Sequence, residues 1–186
     1  MPLRGSPSKG EQTRNAILRA AARAFRERGY DAATLEEIAS GLGLTRSAVL
    51  FHFGSKEEIL REIVDPFFAD LDALLDGVDP VVSGRQRRTF LTDFVDVLCD
   101  HRCVASLLTR DVTAQGHLGA DAGLAQLASR FVQIVDGDGT TTGTIRAHSA
   151  LGAVLRPLNA PVDELDFTDP RNRRQLVDSA LTALRA

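Results

Sequence analysis

The stretch Thr34-Leu-Glu-Glu-Ile-Ala-Ser-Gly-Leu-Gly-Leu-Thr-Arg-Ser-Ala-Val-Leu-Phe-His-Phe53 carries two short helical patterns separated by a turn that contains glycine. Thr34 followed three residues later by Glu37 fits a capping box, in which each side chain satisfies a backbone N–H that the first turn leaves unpaired. Leu35, Ile38, Ala39 and Leu42 then fall on one face at helical spacing. Gly41 and Gly43 lie where the chain must reverse, and glycine adopts positive φ without a Cβ clash. Thr45 is placed to cap a second helix, whose Val49 and Phe53 share the inward face. A small residue on one helix, glycine in the turn and a buried aliphatic on the next allow two crossing helices to pack closely. Capping, turn chemistry and inward spacing therefore agree on a helix-turn-helix.

Outward from this stretch the pattern stays helical. Ile17, Leu18, Ala21 and Phe25 form an apolar stripe within 11–28, and Gly29 is placed to end that helix. Ser55 with Glu58 is a second capping box, opening a long helix through Ile59, Ile63, Phe67 and Leu71, which Pro66 is expected to bend or interrupt. Ser83 with Gln86 marks another start, followed by Phe90, Phe94, Val97 and Leu98. A break is expected around 100–102, then a helix through Val104, Leu107 and Leu108, a loop at 117–120, and a helix from Leu124 to Val135. Two more helices are expected, over roughly 141–158 and from Pro170 to Leu184. There is no strand pattern and no internal repeat.

The sequence from Arg14 to Leu60 resembles the DNA-binding domain of the tetracycline-repressor (TetR) family of bacterial transcription regulators. The resemblance rests on Ile17, Ala21, Phe25 and Gly29, on Thr34, Ile38, Ala39 and Gly43, and on His52, Phe53, Ser55 and Lys56. It implies an all-α protein of about nine helices, with a three-helix N-terminal DNA-binding domain joined by a long helix to a C-terminal bundle for effector binding and dimerisation. The Pro, Gly and Ser content of residues 1–10 predicts a disordered arm there, and the expected division beyond it is the helix-turn-helix domain over 11–62 and the bundle over 63–186. The implied partners are double-stranded DNA with a palindromic operator, a second copy of the chain, and a small molecule that releases a repressor from that operator.

Composition is consistent with this. Hydrophobic residues make up 44% of 186, enough for a sizeable core. The net charge of −3 argues against a nonspecific coat for nucleic acid, but it is unevenly spread. Residues 1–62 carry ten Lys and Arg against eight acids (+2), and residues 63–186 carry twelve against seventeen (−5). The positive excess lies with the helix-turn-helix, where phosphates would be met. With two cysteines, no signal-like N-terminus and no long apolar run, a reducing cytoplasm is the expected compartment.

A helix-turn-helix presents residues near the N-terminus of its second helix to base edges. Thr45, Arg46, Ser47, Ala48, Phe51 and His52 are the surface candidates, with Arg46 suited to a guanine through a bidentate guanidinium. Thr34 stands where the resemblance places a phosphate contact. Leu50 stands where the family usually has a phosphate-bonding tyrosine, which shifts weight to His52 and Lys56. Lys56, in the first turn of its helix, opposes the macrodipole and so suits an external phosphate.

For an effector, Phe90, Phe94, Leu98, Leu107, Leu108, Leu124 and Phe131 are candidate cavity residues, with His101, Arg102, Thr109, Arg110 and His117 as polar neighbours. The scarcity of inward polar positions points to an apolar compound. The small residues Gly143, Ala147, Ala150, Gly152 and Ala153 would allow close approach of a second copy. Cys99, His101 and Cys103 invite a metal-sensor or Cys–His enzyme reading, but on one continuous helix His101 points away from the cysteines. Buried hydrophobic cysteines are the simpler expectation. No cofactor is implied. A helix-turn-helix used only for protein contacts stays as an alternative.

Overall fold

The computed structural model describes residues 8–80, 83–118, 120–136, 139–160 and 164–185, with the side chains of 120–122 outside that description. The described chain is all-helical: α1 (Lys9–Arg28), α2 (Leu35–Ser40), α3 (Arg46–Phe53), α4 (Lys56–Leu75), α5 (Gly84–Asp100), α6 (Arg102–Arg110), α7 (Val112–Leu118), α8 (Ala120–Val135), α9 (Thr141–Leu158) and α10 (Pro170–Ala183). No strand occurs among the described residues.

Of the N-caps read from the residue pattern, Ser55 at α4 accepts from Glu58 N at 3.1 Å without a return bond from the Glu58 side chain, so the box expected there is half formed, and the others are made in full. Thr34 and Glu37 exchange side-chain and backbone bonds at α2, Ser83 and Gln86 do so at α5, and Thr45 Oγ1 accepts from Ala48 N at 3.1 Å. Within the turn only Gly43 requires its missing Cβ, with φ of +67°; Gly41 is an ordinary right-handed residue. Gly29 also has positive φ, +84°, but its ψ of 161° lies outside the left-handed helical region expected of the cap.

The first helix starts earlier than the residue pattern suggests. Ser8 caps Glu11 N while Glu11 accepts from Ser8 N, so Lys9 and Gly10 are helical and not part of an arm; Arg4 lies outside the described residues. Near the other end, His117 and Leu118 belong to α7 in place of the expected loop, because Asp111 accepts from Ala114 N and starts a short helix there. α4 continues through Pro66 to Leu75.

α4 positions everything else. Its first half buries Ile59, Leu60 and Val64 with Ile17, Ala21 and Phe25 of α1 and with Val49 and Phe53 of α3. Its second half buries Phe67, Leu71 and Leu75 within the bundle. At about 1.5–3 kcal/mol per fully buried large apolar side chain, this burial is the main force holding α1, α3 and α4 together. A boundary at 62/63 therefore falls inside one helix that serves both cores.

The small-residue stripe of α9 divides. Gly143, Ala147 and Ala150 are buried within the chain, where α9 packs on α8 and α10, and do not face a second copy. Ile145, His148, Ser149 and Gly152 remain on the outer face, with Ile145 62% exposed.

Candidate nucleic-acid interface

The α2–turn–α3 unit turns one face of α3 inward and the other out. Val49 and Phe53 are buried, while Phe51 is 87% exposed, the most exposed large hydrophobic side chain described. Arg46 and Ser47 are exposed and Ala48 is half-buried beside them. A bulky apolar ring left in water at the tip of a folded domain has no stabilising role there, so it suits contact with another molecule. Thr34 and Thr45 use an oxygen lone pair for their caps, which leaves each hydroxyl hydrogen available to a phosphate.

Arg46 is held in the free protein by Glu36 of α2, Nε to Oε1 at 3.1 Å, with both side chains largely exposed. Such pairs contribute roughly 0–1 kcal/mol, so the guanidinium can leave for a stronger acceptor. Glu36→Gln should consequently strengthen binding to DNA by up to about fivefold in a fluorescence-anisotropy titration; weaker binding would show that Glu36 positions Arg46 productively.

Lys56 is engaged within the chain. Its Nζ donates to the carbonyls of Tyr30 (2.9 Å), Ala33 (3.1 Å) and Asp31 (3.4 Å) and lies 4.3 Å from the centre of the Tyr30 ring. A lysine has three donors, and here all three point at the loop between α1 and α2. The ammonium ties that loop to α4.

Arg14, which lies outside the apolar stripe of α1, braces α3. Its guanidinium bonds the His52 carbonyl and Glu62 and lies 4.2 Å from the Phe53 ring centre, fixing the C-terminal end of α3 against α1 and α4. A second set of contacts joins this domain to the bundle. Asp111, at the end of α6, accepts from Tyr30 N at 2.6 Å, and the Tyr30 and His117 rings lie 4.8 Å apart. The same carboxylate would sit 3.3 Å from a Cβ on Gly29, so a side chain there would crowd the junction.

Of the expected cavity residues, Phe94, Leu98, Leu108, Leu124 and Phe131 do surround a common apolar hollow of about 80 Å³, with Phe67, Leu71 and Leu75 of α4 and Thr109 as a polar neighbour. The others do not line it. Phe90 is stacked behind Phe94 and Phe131 at ring-centre distances of 6.1 and 5.9 Å. Leu107 faces the α1 side of α6, and His101 Nε2 lies 2.7 Å from Asp70 Oδ2 on α4. Arg102 is spent on the carbonyls of Leu158, Ala160 and Leu165. The expected break does fall at His101, separating Cys99 on α5 from Cys103 on α6, but His101 is turned to Asp70 and not towards the cysteines. Burial pushes the Cys99 thiol up to about 11, so it is protonated and weakly nucleophilic at neutral pH.

The capped, outward-facing α3 has known counterparts. Residues 17–63 match the family described as bacterial regulatory proteins, tetR family. It is over this domain that the chain is similar to the TetR family. It is 34% identical over 106 residues to the transcriptional regulator TtgR of Pseudomonas putida, an alignment covering 54% of this chain and 50% of TtgR. It is 44% identical over 62 residues to the transcriptional repressor BepR of Brucella suis, covering 33% and 30% of the two chains. These alignments span half or less of those relatives. The fold extends further. SmeT, solved in complex with triclosan, superposes with a TM-score of 0.60 at 25% identity, over 92% of this chain and 91% of SmeT.

Within the matched residues, Leu50 is half-buried and packs against the core, so the position carries an apolar contact here. Among the described residues no helix is long and apolar enough to cross a membrane.

Proposed function

We propose that the chain is a dimeric, sequence-specific DNA-binding repressor whose release from its operator is driven by a small apolar molecule. The observation that carries the DNA reading is α3: capped at Thr45, anchored inward by Val49 and Phe53, and presenting Arg46, Ser47 and Phe51 outward. A helix of that shape enters the major groove, where base edges are distinguishable. Arg46 reads a guanine, Phe51 and Ala48 meet thymine methyl groups, Thr34, Thr45, Ser47 and His52 bond phosphate or base, and the Lys56 segment supports the domain from behind.

The outer face of α9, with Ile145 above the small residues Ser149 and Gly152, meets its two-fold mate. That pairing would set the recognition helices roughly 34–36 Å apart, or a multiple. Ile145→Asp should shift the monomer–dimer equilibrium at least about tenfold towards monomer in light scattering, since a desolvated charge opposes an apolar contact. An unchanged mass at all concentrations would place the dimer elsewhere.

The apolar hollow under Phe94, Leu108 and Phe131 is the effector site of this reading. At about 80 Å³ it is below the roughly 300–1,000 Å³ of occupied ligand pockets, so an effector would have to part α4 from α8. Such a ligand weakens DNA binding by its differential affinity for the two states. Asp111, Tyr30 and His117 are where the bundle grips the DNA-binding domain. Footprinting on DNA flanking the protein's own gene tests the whole reading, with triclosan as a first apolar probe of release. Protection with a steep fall in affinity on added salt supports it. No protected site, or salt-indifferent binding, favours a helix-turn-helix for protein contacts.

A further inference from the structure

A second hollow, of about 580 Å³, opens between the C-terminal end of α1 and the bundle and has chemistry unlike the apolar one. Four arginines line it: Arg26 of α1, Arg102 and Arg110 of α6, and Arg173 of α10. Its one lining carboxylate among the described residues, Asp166, already accepts from Thr168 N and Oγ1 at 2.8 and 2.7 Å. Arg173 is neutralised by Asp96 and Asp100. Arg102 bonds carbonyl oxygens, which accept its hydrogens without cancelling its charge. Arg26 has Glu27 at 3.5 Å and the Cys103 thiol at 3.5 Å. The Arg110 side chain has no hydrogen-bond or ion-pair partner among the described residues.

Ser106 adds an independent sign. It is the single buried polar residue of the described chain, 7% exposed, and its hydroxyl makes no hydrogen bond among the described residues although it borders this hollow. The hydroxyl opens on the hollow that Arg110 also lines, so both can donate to one acceptor placed there. Arg26, Ser106 and Arg110 also wall an adjoining hollow of about 470 Å³, where Asp111 is occupied by Tyr30 N and Ala114 N.

We propose that this cleft binds a small organic anion. Its carboxylate or phosphate sits between Arg26 and Arg110 with Ser106 donating to it, and its apolar body lies against Phe167 and Leu158. Guanidinium forks match both oxyanions in bidentate fashion, and the volume is that of an ordinary ligand site. Because Arg26 belongs to the DNA-binding domain and Arg110 to the bundle, the occupant bridges the two.

The test is calorimetric and thermal-shift titration of the full chain with benzoate and with inorganic phosphate, against sodium chloride at matched ionic strength. The expected result is saturable binding of at least one probe, benzoate marking an organic acid and phosphate a phosphate ester. Arg110→Gln, a change at an exposed and unpartnered side chain, should weaken that binding tenfold or more, Ser106→Ala several-fold, and Arg171→Gln on the outer end of α10 not at all. Absence of saturable binding by either probe, or Arg110→Gln binding as tightly as the unaltered protein, would overturn the proposal. Binding here does not require the repressor reading: a chain that takes the anion yet protects no DNA refutes that reading alone.

Discussion

Arg46→Ala is expected to weaken operator binding by about 1–3 kcal/mol, roughly 5- to 150-fold, and to relax the preference at a single base pair. The side chain stands on the first turn of α3, is largely exposed, and has only Glu36 as a partner among the described residues. The substitution removes no buried contact, so the fold and the melting temperature should be unaffected. The lost free energy belongs to a bidentate pair with guanine, and a base substitution in the operator at the matching position should cost the unaltered protein the same amount and the variant almost nothing. Quantitative footprinting across single-base operator variants checks this. Equal affinity of the variant and the original for the operator would remove Arg46 from the interface, and a uniform loss across all base variants would reassign it to a phosphate.

Lys56→Met should act through a different route. Three carbonyls of the α1–α2 loop lose a charged donor together, at a cost of about 1.5–3 kcal/mol of stability. For a chain of this size that lowers the melting temperature by several degrees, at roughly 2–4 °C per kcal/mol. Methionine keeps much of the stem that packs beside Tyr30, so the loss reports the ammonium. The dependence of DNA affinity on salt should keep its slope, because no phosphate contact has been removed. A phosphate-bonding lysine predicts the reverse: an unaltered melting temperature and a logarithmic salt slope shallower by about 0.9. That outcome would restore Lys56 to the interface.

The contrast between Arg46 and Lys56 shows where residue pattern suffices. The helices around the turn are legible because their determinants are local. Thr34 with Glu37, Thr45 before Ala48, and Gly43 at φ of +67° each act within four residues, a distance at which sequence and geometry are nearly the same information. The same logic applies to the start of α1, since Ser8 and Glu11 form the same box; the Pro, Gly and Ser content around them masks it. Much of the apolar cavity set is legible too. Phe94, Leu98, Leu108, Leu124 and Phe131 converge, but amphipathic spacing does not say which helix an apolar face will meet, and Phe90 and Leu107 meet others.

By itself, the sequence determined an all-α chain with a capped helix-turn-helix near its start and the residues α3 shows to its surroundings. Those follow from backbone capping and from burial of Val49 and Phe53, which short-range rules cover. Only the tertiary structure decided what the long polar side chains do. Lys56 finds carbonyls more than twenty residues away, Arg102 finds those at the end of α9 and in the loop after it more than fifty away, and α9 spends Gly143, Ala147 and Ala150 inside its own subunit. A flexible charged side chain takes whichever acceptor the packed fold brings within about 3 Å, and that depends on how helices cross, which no local pattern encodes.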